Sequence, residues 1–404
     1  MTTFDVTIVG GGSGGLTAAA RLLRKQPKLS VALIEPSGNH FYQPGFLFAG
    51  LGLEPIESIC RPMAANIPKG CTWFRDAATF VDAQHNKVRL SSGEEVNYRT
   101  LILAPGLIVQ LDSIAGLNHA LSDPNVPVCS VFTPSGCSKC KSSLEEFIGG
   151  TMVFSIPSGP VKCAAAPLKI INLIDDLLRK SGRREVSRLV LISPYQHLFG
   201  LQGFEQALSA TFKRKGVEVL FGHEVERIDS ANQTLLLRAS DAARQKVNQV
   251  RYDFAHITPR MKAPQFIKDS SLHWENGPCE NFLKVDPFTL RHSQYENIYG
   301  VGDISGIPTL KSSEAAIDQA KVACHNILST LANKTHPKAL IHYTGYSACP
   351  MYLGLGIALP CKLRYDGQVV SELPWSPFEP SRLSWLTSKY IQPHLYWNLS
   401  LRGW

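Results

Sequence analysis

Two cysteines and a glycine-rich turn carry most of the reactive chemistry in this 404-residue chain. Cys163 lies in SGPVKCAAAPLKII, after a strand-like run and a Gly-Pro turn and just ahead of an amphipathic helix. The positive end of a helix favours a thiolate, and Lys162 and Lys169 add charge of the same sign. A buried thiol packed as a small apolar residue suits the same position, and position alone leaves both readings open. Cys349, in YTGYSACPMYLG, stands 186 residues further on beside Pro350, which favours a local turn. Pairing of the two depends wholly on the fold, and a packed thiol remains the alternative. Cys137 and Cys140 form CSKC with Cys129 nearby, but a zinc site needs a second such pair. The sequence has none, so no metal is expected and the role of these thiols stays open. His197, in SPYQHLFG at the C-terminal end of a strand, is a candidate acid or base, with a hydrogen-bonded loop histidine as the plainer reading.

The glycines are more specific. Gly10, Gly12 and Gly15 spell GxGxxG between FDVTIVG and LTAAARLLRKQP, and Glu35 closes the next strand 20 residues after Gly15. Such a turn lets backbone approach a pyrophosphate at a helix N-terminus, while the acid accepts hydrogen bonds from ribose hydroxyls. Asp303 in VGDISG sits at a strand end, where a carboxylate can bind the ribityl and pyrophosphate region of a flavin dinucleotide. With Pro105 and Gly106 ending YRTLILAPG, and Gln43 in the loop NHFYQPGF, these elements resemble the flavoproteins that contain two dinucleotide-binding domains. That resemblance implies FAD. The equivalent turn of the second α/β unit, IPSGPVKCAAAP, has no GxGxxG, and its prolines lack amide donors. No nicotinamide site is expected there, so electrons must reach the flavin by another route.

The elements that position these residues follow from the alternation of strand-like and helical patterns. Residues 4 to 35 read strand, glycine turn, helix, strand; from residue 151 a second unit runs TMVFSIP, a turn, LKIINLIDDLLRKSG, RLVLISP, a helix near Phe204 to Lys215, and GVEVLFG. Leu168, Ile171, Ile174 and Leu178 form the apolar face of the helix after Cys163. The expected fold is α/β, with two Rossmann-like domains and a C-terminal amphipathic helical segment. Expected boundaries are 1–110 with 285–335 for the FAD-binding domain, 111–284 for the second domain, and 336–404 for a C-terminal interface segment.

Composition narrows the class. A 44% hydrophobic, 18% charged chain is ordinarily globular. The formal charge of +8 fits an anionic cofactor or a membrane surface, and no Lys/Arg run points to nucleic acid. Ten unevenly spaced cysteines suggest free thiols in a reducing compartment rather than a disulfide framework. The first strand starts within a few residues of Met1, leaving no room for a leader, and the longest apolar run, Met351 to Cys361, is 11 residues, too short to span a bilayer. The final segment, PSRLSWLTSKYIQPHLYWNLSLRGW, together with Trp375, holds four of the six tryptophans. Leu383, Leu386 and Tyr390 fall at helical spacing, a break is expected at Pro393, and the pattern resumes at Leu395, Tyr396 and Leu399. With Arg382, Lys389 and Arg402 this suits a membrane interface; a helix pair packed on the flavin domain is the alternative.

The segments VGGGSGGLTAAARL, EPSGNHFYQPGF, YRTLILAPG, PVKCAAAPLKI, YGVGDISGIPTLKSSEAA, YTGYSACP and LYWNLSLRG, in this order from residue 9 to 402, resemble the sulfide:quinone oxidoreductases, in the branch that includes the mitochondrial enzyme. The resemblance implies two cysteines bridged through sulfur. Cys349 would take up the sulfide sulfur as a persulfide, and the freed Cys163 thiolate would attack or donate to the flavin C4a. Lys311 in PTLKSS would lie near the flavin pyrimidine end, its charge stabilising the reduced cofactor. The implied partners are hydrogen sulfide, ubiquinone or menaquinone, and a sulfur acceptor such as sulfite, glutathione or sulfide, on a peripheral protein of the bacterial or mitochondrial inner membrane that could form a homo-oligomer. Cys129 or Cys137 falls where some relatives tether FAD, but neither sits in a matching motif, so noncovalent FAD is expected. The rival readings are a type II NADH:quinone dehydrogenase, a flavocytochrome-type sulfide dehydrogenase and a non-catalytic flavin-containing redox or sulfide sensor.

Overall fold

The computed structural model describes residues 2–240, 248–332, 339–371 and 376–404. Trp375 lies outside the described residues. The first strand, Thr3–Val9, is flanked by Val31–Ile34 and Glu95–Leu103, all parallel, with Val9 level with both Ile34 and Leu103. Cys71–Phe74 and Ile298–Gly300 complete the parallel part, and a meander, Ala78–Asp82 and Lys87–Leu90, pairs with the first half of Glu95–Leu103. Val6, Ile8, Leu101, Ile102 and Leu103 are fully buried, as strands covered on both faces must be. One covering layer is the helix Ser13–Lys25 packed against Ser313–Leu331, whose facing positions include Ala18, Ala19, Ala316, Ala320 and Ala323.

A second sheet is wholly parallel, in the order Val128–Cys129, Phe254–His256, Gly150–Ser155, Ser187–Ser193, Val217–Phe221. The helix Ala166–Lys180 follows its central strand and buries Leu168, Ile171, Ile174 and Leu178. The α/β architecture with two Rossmann-like sheets is therefore as the strand and helix alternation implies. A short hairpin, Met351–Gly354 with Ile357–Leu359, packs on this helix directly after Cys349.

The C-terminal segment departs from expectation at Pro393. Helix Arg382–Leu386 continues through a π turn, Thr387–Ile391, into Gln392–Asn398, with no break. Pro393 falls in the first turn of the last piece, where its missing N–H costs least, and the wider π turn absorbs the change of hydrogen-bond register. The two sides of this helix are sharply different. Trp385, Ser388, Tyr396 and Trp397 are buried, whereas Leu383, Leu386, Tyr390, Ile391, Leu395 and Leu399 are exposed. Tyr396 is therefore an inward residue, 2% exposed, and not an interface one. Lys389 also points inward, its Nζ 3.1 Å from Glu54 Oε1 and 4.2 Å above the Phe48 ring. Among the described residues no helix is long and apolar enough to cross a membrane.

Candidate active site

Parallel strands of the first sheet end together, and their C-terminal edge is where the site forms, as is usual for open α/β sheets. Gly10 donates to Ile34 O (2.8 Å) and Ala104 to Val9 O (2.8 Å), while Val301 donates to Leu103 O (2.9 Å). These bonds bring the glycine turn, Glu35, Pro105, Gly106 and Asp303 to one edge. Gly10 has φ +102°, and a Cβ there would meet Ala104 O at 2.3 Å; a Cβ on Gly15 would lie 1.8 Å from Gly10 O. Gly12 is different, since nothing lies within 4 Å of its missing Cβ. Gly10 and Gly15 thus close the turn, and Gly12 leaves open space beside it. The helix Ser13–Lys25 has no side-chain cap at Gly12, so its first amides face that space unsatisfied by the protein. Glu35 accepts from Gly11 N and Ser37 N, both at 2.7 Å, which fixes its carboxylate at the edge.

This edge opens into a cavity of about 300 Å³. Its lining includes Gly10, Gly12, Glu35, Gln43, Pro105, Gly106, Asp303, Lys311, Cys163 and Cys349. Gly15 lies behind the lining. A flavin dinucleotide suits these residues: free helix amides and an open glycine for a pyrophosphate, a fixed acid for ribose, and Lys311 with Asp303 further along. Lys311 Nζ donates to Asp303 O (2.7 Å) and Ser305 O (3.1 Å). Burial pushes the Asp303 carboxyl up and the Lys311 ammonium down, each partly offset by the other's charge.

The thiols lie on the wall facing this edge. Cys163 Sγ is 3.8 Å from Cys349 Sγ, and Lys169 Nζ is 3.1 Å from Cys349 Sγ and 3.6 Å from Cys163 Sγ. Cys163 holds the left-handed φ of +52°, a strained value for a residue with a side chain. Its N–H donates to Lys311 O (2.9 Å) and its carbonyl accepts from Ala166 N (2.8 Å). These bonds hold the thiol toward Cys349 and tie it to Lys311, just ahead of the helix Ser313–Leu331. The hairpin carrying Cys349 is fixed to the same helix by Asn172 Nδ2 on Tyr352 O (3.2 Å) and Leu355 N on Asp176 Oδ2 (2.7 Å).

Charge is shared unequally between the thiols. The hydrogen bond from Cys163 lowers the Cys349 thiol well below its ordinary range; burial opposes this and Lys169 assists. The same bond and burial push Cys163 up. Burial works against the Lys169 ammonium, yet the two thiols and Tyr352 hold it charged. In the chain Lys162 and Lys169 adjoin Cys163, which favours a thiolate there while leaving a packed thiol as the alternative. In space Lys162 Nζ turns to Gln43 Oε1 (3.0 Å) and Lys169 sits nearer Cys349, so in the reduced pair the thiolate is favoured at Cys349.

His197 does not join them. The amides of Leu198, Phe199 and Gly200 bond the Glu205 carboxylate, and this turn leaves His197 exposed and stacked on Tyr195 at 5.7 Å. Cys129, Cys137 and Cys140 are fully buried and outside the cavity lining, and among the described residues no group of three or more His, Cys, Asp or Glu is placed to hold a metal. At the turn 156–165 the amide of Ser158, with its hydroxyl, is taken by Glu224 Oε1 (2.8 and 2.9 Å), and Arg260 and Arg238 hold that carboxylate in place. That carboxylate occupies the Ser158 amide and hydroxyl, two donors that a pyrophosphate at this turn would need, while the two arginines balance its charge.

Sequence reasoning missed the depth of Lys169, Tyr352 and the C-terminal helix's share of the cavity through Ser388, Lys389 and Gln392. Lys169 had a signal: it is a lone cation in the buried run Leu168–Ile174. His40 had less of one. Its Nε2 lies 2.6 Å from Tyr396 Oη, which also meets Ser13 Oγ at 3.0 Å, joining the glycine turn to the C-terminal helix.

The two dinucleotide-type sheets and the thiol pair define a flavin-dependent oxidoreductase, and the profile of the pyridine nucleotide-disulphide oxidoreductases matches residues 4–129. The chain is 31% identical over 401 residues to the mitochondrial sulfide:quinone oxidoreductase of Dictyostelium discoideum, covering 98% of this chain and 86% of that one. It is 29% identical to the mitochondrial counterpart of Mus musculus, covering 99% and 87%. The sulfide:quinone oxidoreductase of Aquifex aeolicus shares the fold, with a TM-score of 0.82 at 19% identity over 100% of this chain and 92% of that one. The chain belongs to the sulfide:quinone oxidoreductase family.

Proposed function

We propose that this enzyme oxidises hydrogen sulfide at the Cys163–Cys349 pair and delivers the electrons through noncovalently bound FAD to a membrane quinone. The observation that carries the reading is the 3.8 Å gap between the two sulfurs, beside a buried ammonium and in the same cavity as the glycine turn. A bridging sulfur, with two S–S bonds of about 2.05 Å bent near the tetrahedral angle, would hold the outer sulfurs about 3.3 Å apart, so the 3.8 Å gap would close by about 0.5 Å to take one inserted sulfur.

The residue roles follow from charge and exchange chemistry. Hydrosulfide attacks the Cys349 sulfur of the sulfur-bridged pair; a new S–S bond forms there, the bond from Cys349 to the bridging sulfur breaks, and Cys163 leaves carrying that sulfur as a persulfide anion. Lys169 lies within reach of both sulfurs and stabilises whichever carries the charge. Bound FAD would supply the oxidant: once the outer sulfur has gone to the acceptor, the Cys349 thiolate and the Cys163 persulfide would give up an electron pair to it and re-form the bridge, and quinone would take the pair from the cofactor. Lys311, Asp303, Gly10, Gly12, Glu35, Gln43, Pro105 and Gly106 bind and orient it. A nucleophilic acceptor, such as sulfite, glutathione or a second sulfide, then takes the outer sulfur from Cys349, which departs as the thiolate that Lys169 favours. Noncovalent binding is supported by Cys137, whose Sγ faces the carbonyls of Phe46 and Val131 rather than the cavity.

Domains of 1–110 with 285–335, of 111–284, and of 336–404 agree with the membership of the two sheets. The exposed apolar side of the C-terminal helix would lie on the membrane surface, with quinone entering between it and the Phe48 and Lys389 end of the cavity. Under anaerobic conditions sulfide should bleach the flavin, NADH should not, and a short-chain quinone should restore the colour. Bleaching by NADH and not by sulfide would replace this reading with the NADH dehydrogenase one.

A further inference from the structure

A second cavity, of about 260 Å³, lies away from the flavin site, in the groove between the helices Ser13–Lys25 and Ser313–Leu331. Arg21 and Lys25, one turn apart, form one wall, and Cys324, His325, Leu328, Ser329 and Ala332 of the second helix and its end form the other, with Cys324 the most buried. No acidic residue lines it among the described residues; Asp318 lies within electrostatic reach of Arg21. Cations beside apolar side chains form a site for a molecule with an anionic head and a hydrocarbon body.

The groove adjoins the end of the C-terminal segment. Gly403 O accepts from Arg24 Nη1 (3.1 Å) and Arg21 Nη1 (3.4 Å), and the Arg24 guanidinium stacks on the Trp404 ring. Trp404 is 60% exposed and its N–H bonds Leu399 O, the last residue of the exposed apolar side. The apolar surface of the helix thus runs through Leu399 and Trp404 to the cations of the groove. An aromatic ring, arginines and a basic recess in that order match the change from hydrocarbon to headgroup at a bilayer surface.

We propose that this groove binds the headgroup of an anionic phospholipid, with the phosphate between Arg21 and Lys25 and the first part of an acyl chain over Leu328 and Ala332. It rests on the reading of the C-terminal helix as a membrane surface, and it adds a lipid preference to it. Charge continuity with that helix, and the apolar residues of the groove, favour a lipid over a free anion.

The test is flotation of the flavin-loaded full chain with vesicles of phosphatidylcholine alone and with a fraction of phosphatidylglycerol. The wild type should bind the anionic vesicles more tightly. Lys25→Gln should lower that affinity about fivefold, the equivalent of roughly 1 kcal/mol per cation near an anionic surface, and leave binding to neutral vesicles unchanged. Leu328→Trp fills the groove without altering charge and should bring anionic binding down to the neutral level; Ala332→Phe is the second plug should the first fail to fold. Full anionic preference in a folded plugged variant would overturn the proposal in favour of diffuse attraction, as would equal binding of both vesicles by the wild type. No binding to either vesicle would instead remove the membrane reading on which it rests.

Discussion

The hydrogen bond from Cys163, assisted by Lys169, places the negative charge of the reduced pair on Cys349. The buried Lys169 ammonium is 0.5 Å closer to Cys349 than to Cys163, and the Cys163 thiol donates toward the same sulfur. The pH dependence follows in sign. A lowered Cys349 value means a thiolate persists as pH falls below the ordinary thiol range near 8.5. Alkylation of Cys349 should therefore continue at pH 7 and below in the reduced protein, and Lys169→Met should move the inflection upward by more than a unit. Rates measured by iodoacetamide labelling and peptide mass spectrometry check this, with Cys349→Ser as the blank. Little of this was legible beforehand. A cysteine in sequence shows its chain neighbours, Lys162 among them, but the partner 186 residues away was reached through family resemblance and not through spacing. His197 shows the same limit: a strand-end position was readable, while the Glu205 clamp that turns the loop outward was not.

At the level of elements, the glycine turn was the most readable part because each of its requirements is local. Gly15 must lack a Cβ to let the helix start against Gly10 O, and Gly12 must lack one to leave room for a ligand. The two should separate in experiment. Gly15→Ala is expected to cost about 3 kcal/mol from overpacking, seen as a fall in the unfolding midpoint. Gly12→Ala, at φ −76° and ψ −166° with open space around it, should keep stability within about 0.5 kcal/mol and lose flavin affinity instead. The C-terminal helix was read less well. Its aromatic residues were recognised, but their direction depends on the π turn, which shifts the facing of every residue after it. That is how Tyr396 comes to point inward, while Lys389 lies within the turn itself.

Across the whole molecule, one cavity joins the thiol pair, the cofactor edge and the inner side of the C-terminal helix. The account therefore separates two half-reactions along its length. The exposed positions Leu386 and Leu395 do not contribute to the core, so Leu386→Glu with Leu395→Glu should leave flavin content, stability and reduction by sulfide unchanged. The double variant should lose vesicle binding and turnover with long-chain quinone held in vesicles, while retaining turnover with a water-soluble short-chain quinone. Loss of sulfide reduction in this variant would mean that the helix is required for the sulfur chemistry and is not a docking surface alone. The parallel sheets were legible from strand and helix alternation; the way in which three distant segments close one cavity was not, because it is set by packing between elements.

The most direct measurement is anaerobic titration of the flavin with sulfide in the wild type, Cys163→Ser and Cys349→Ser, each with its flavin content determined. The account predicts stoichiometric bleaching of the wild type and none in either variant, with flavin retained in all three. Bleaching of either flavin-loaded variant at the wild-type rate would contradict it.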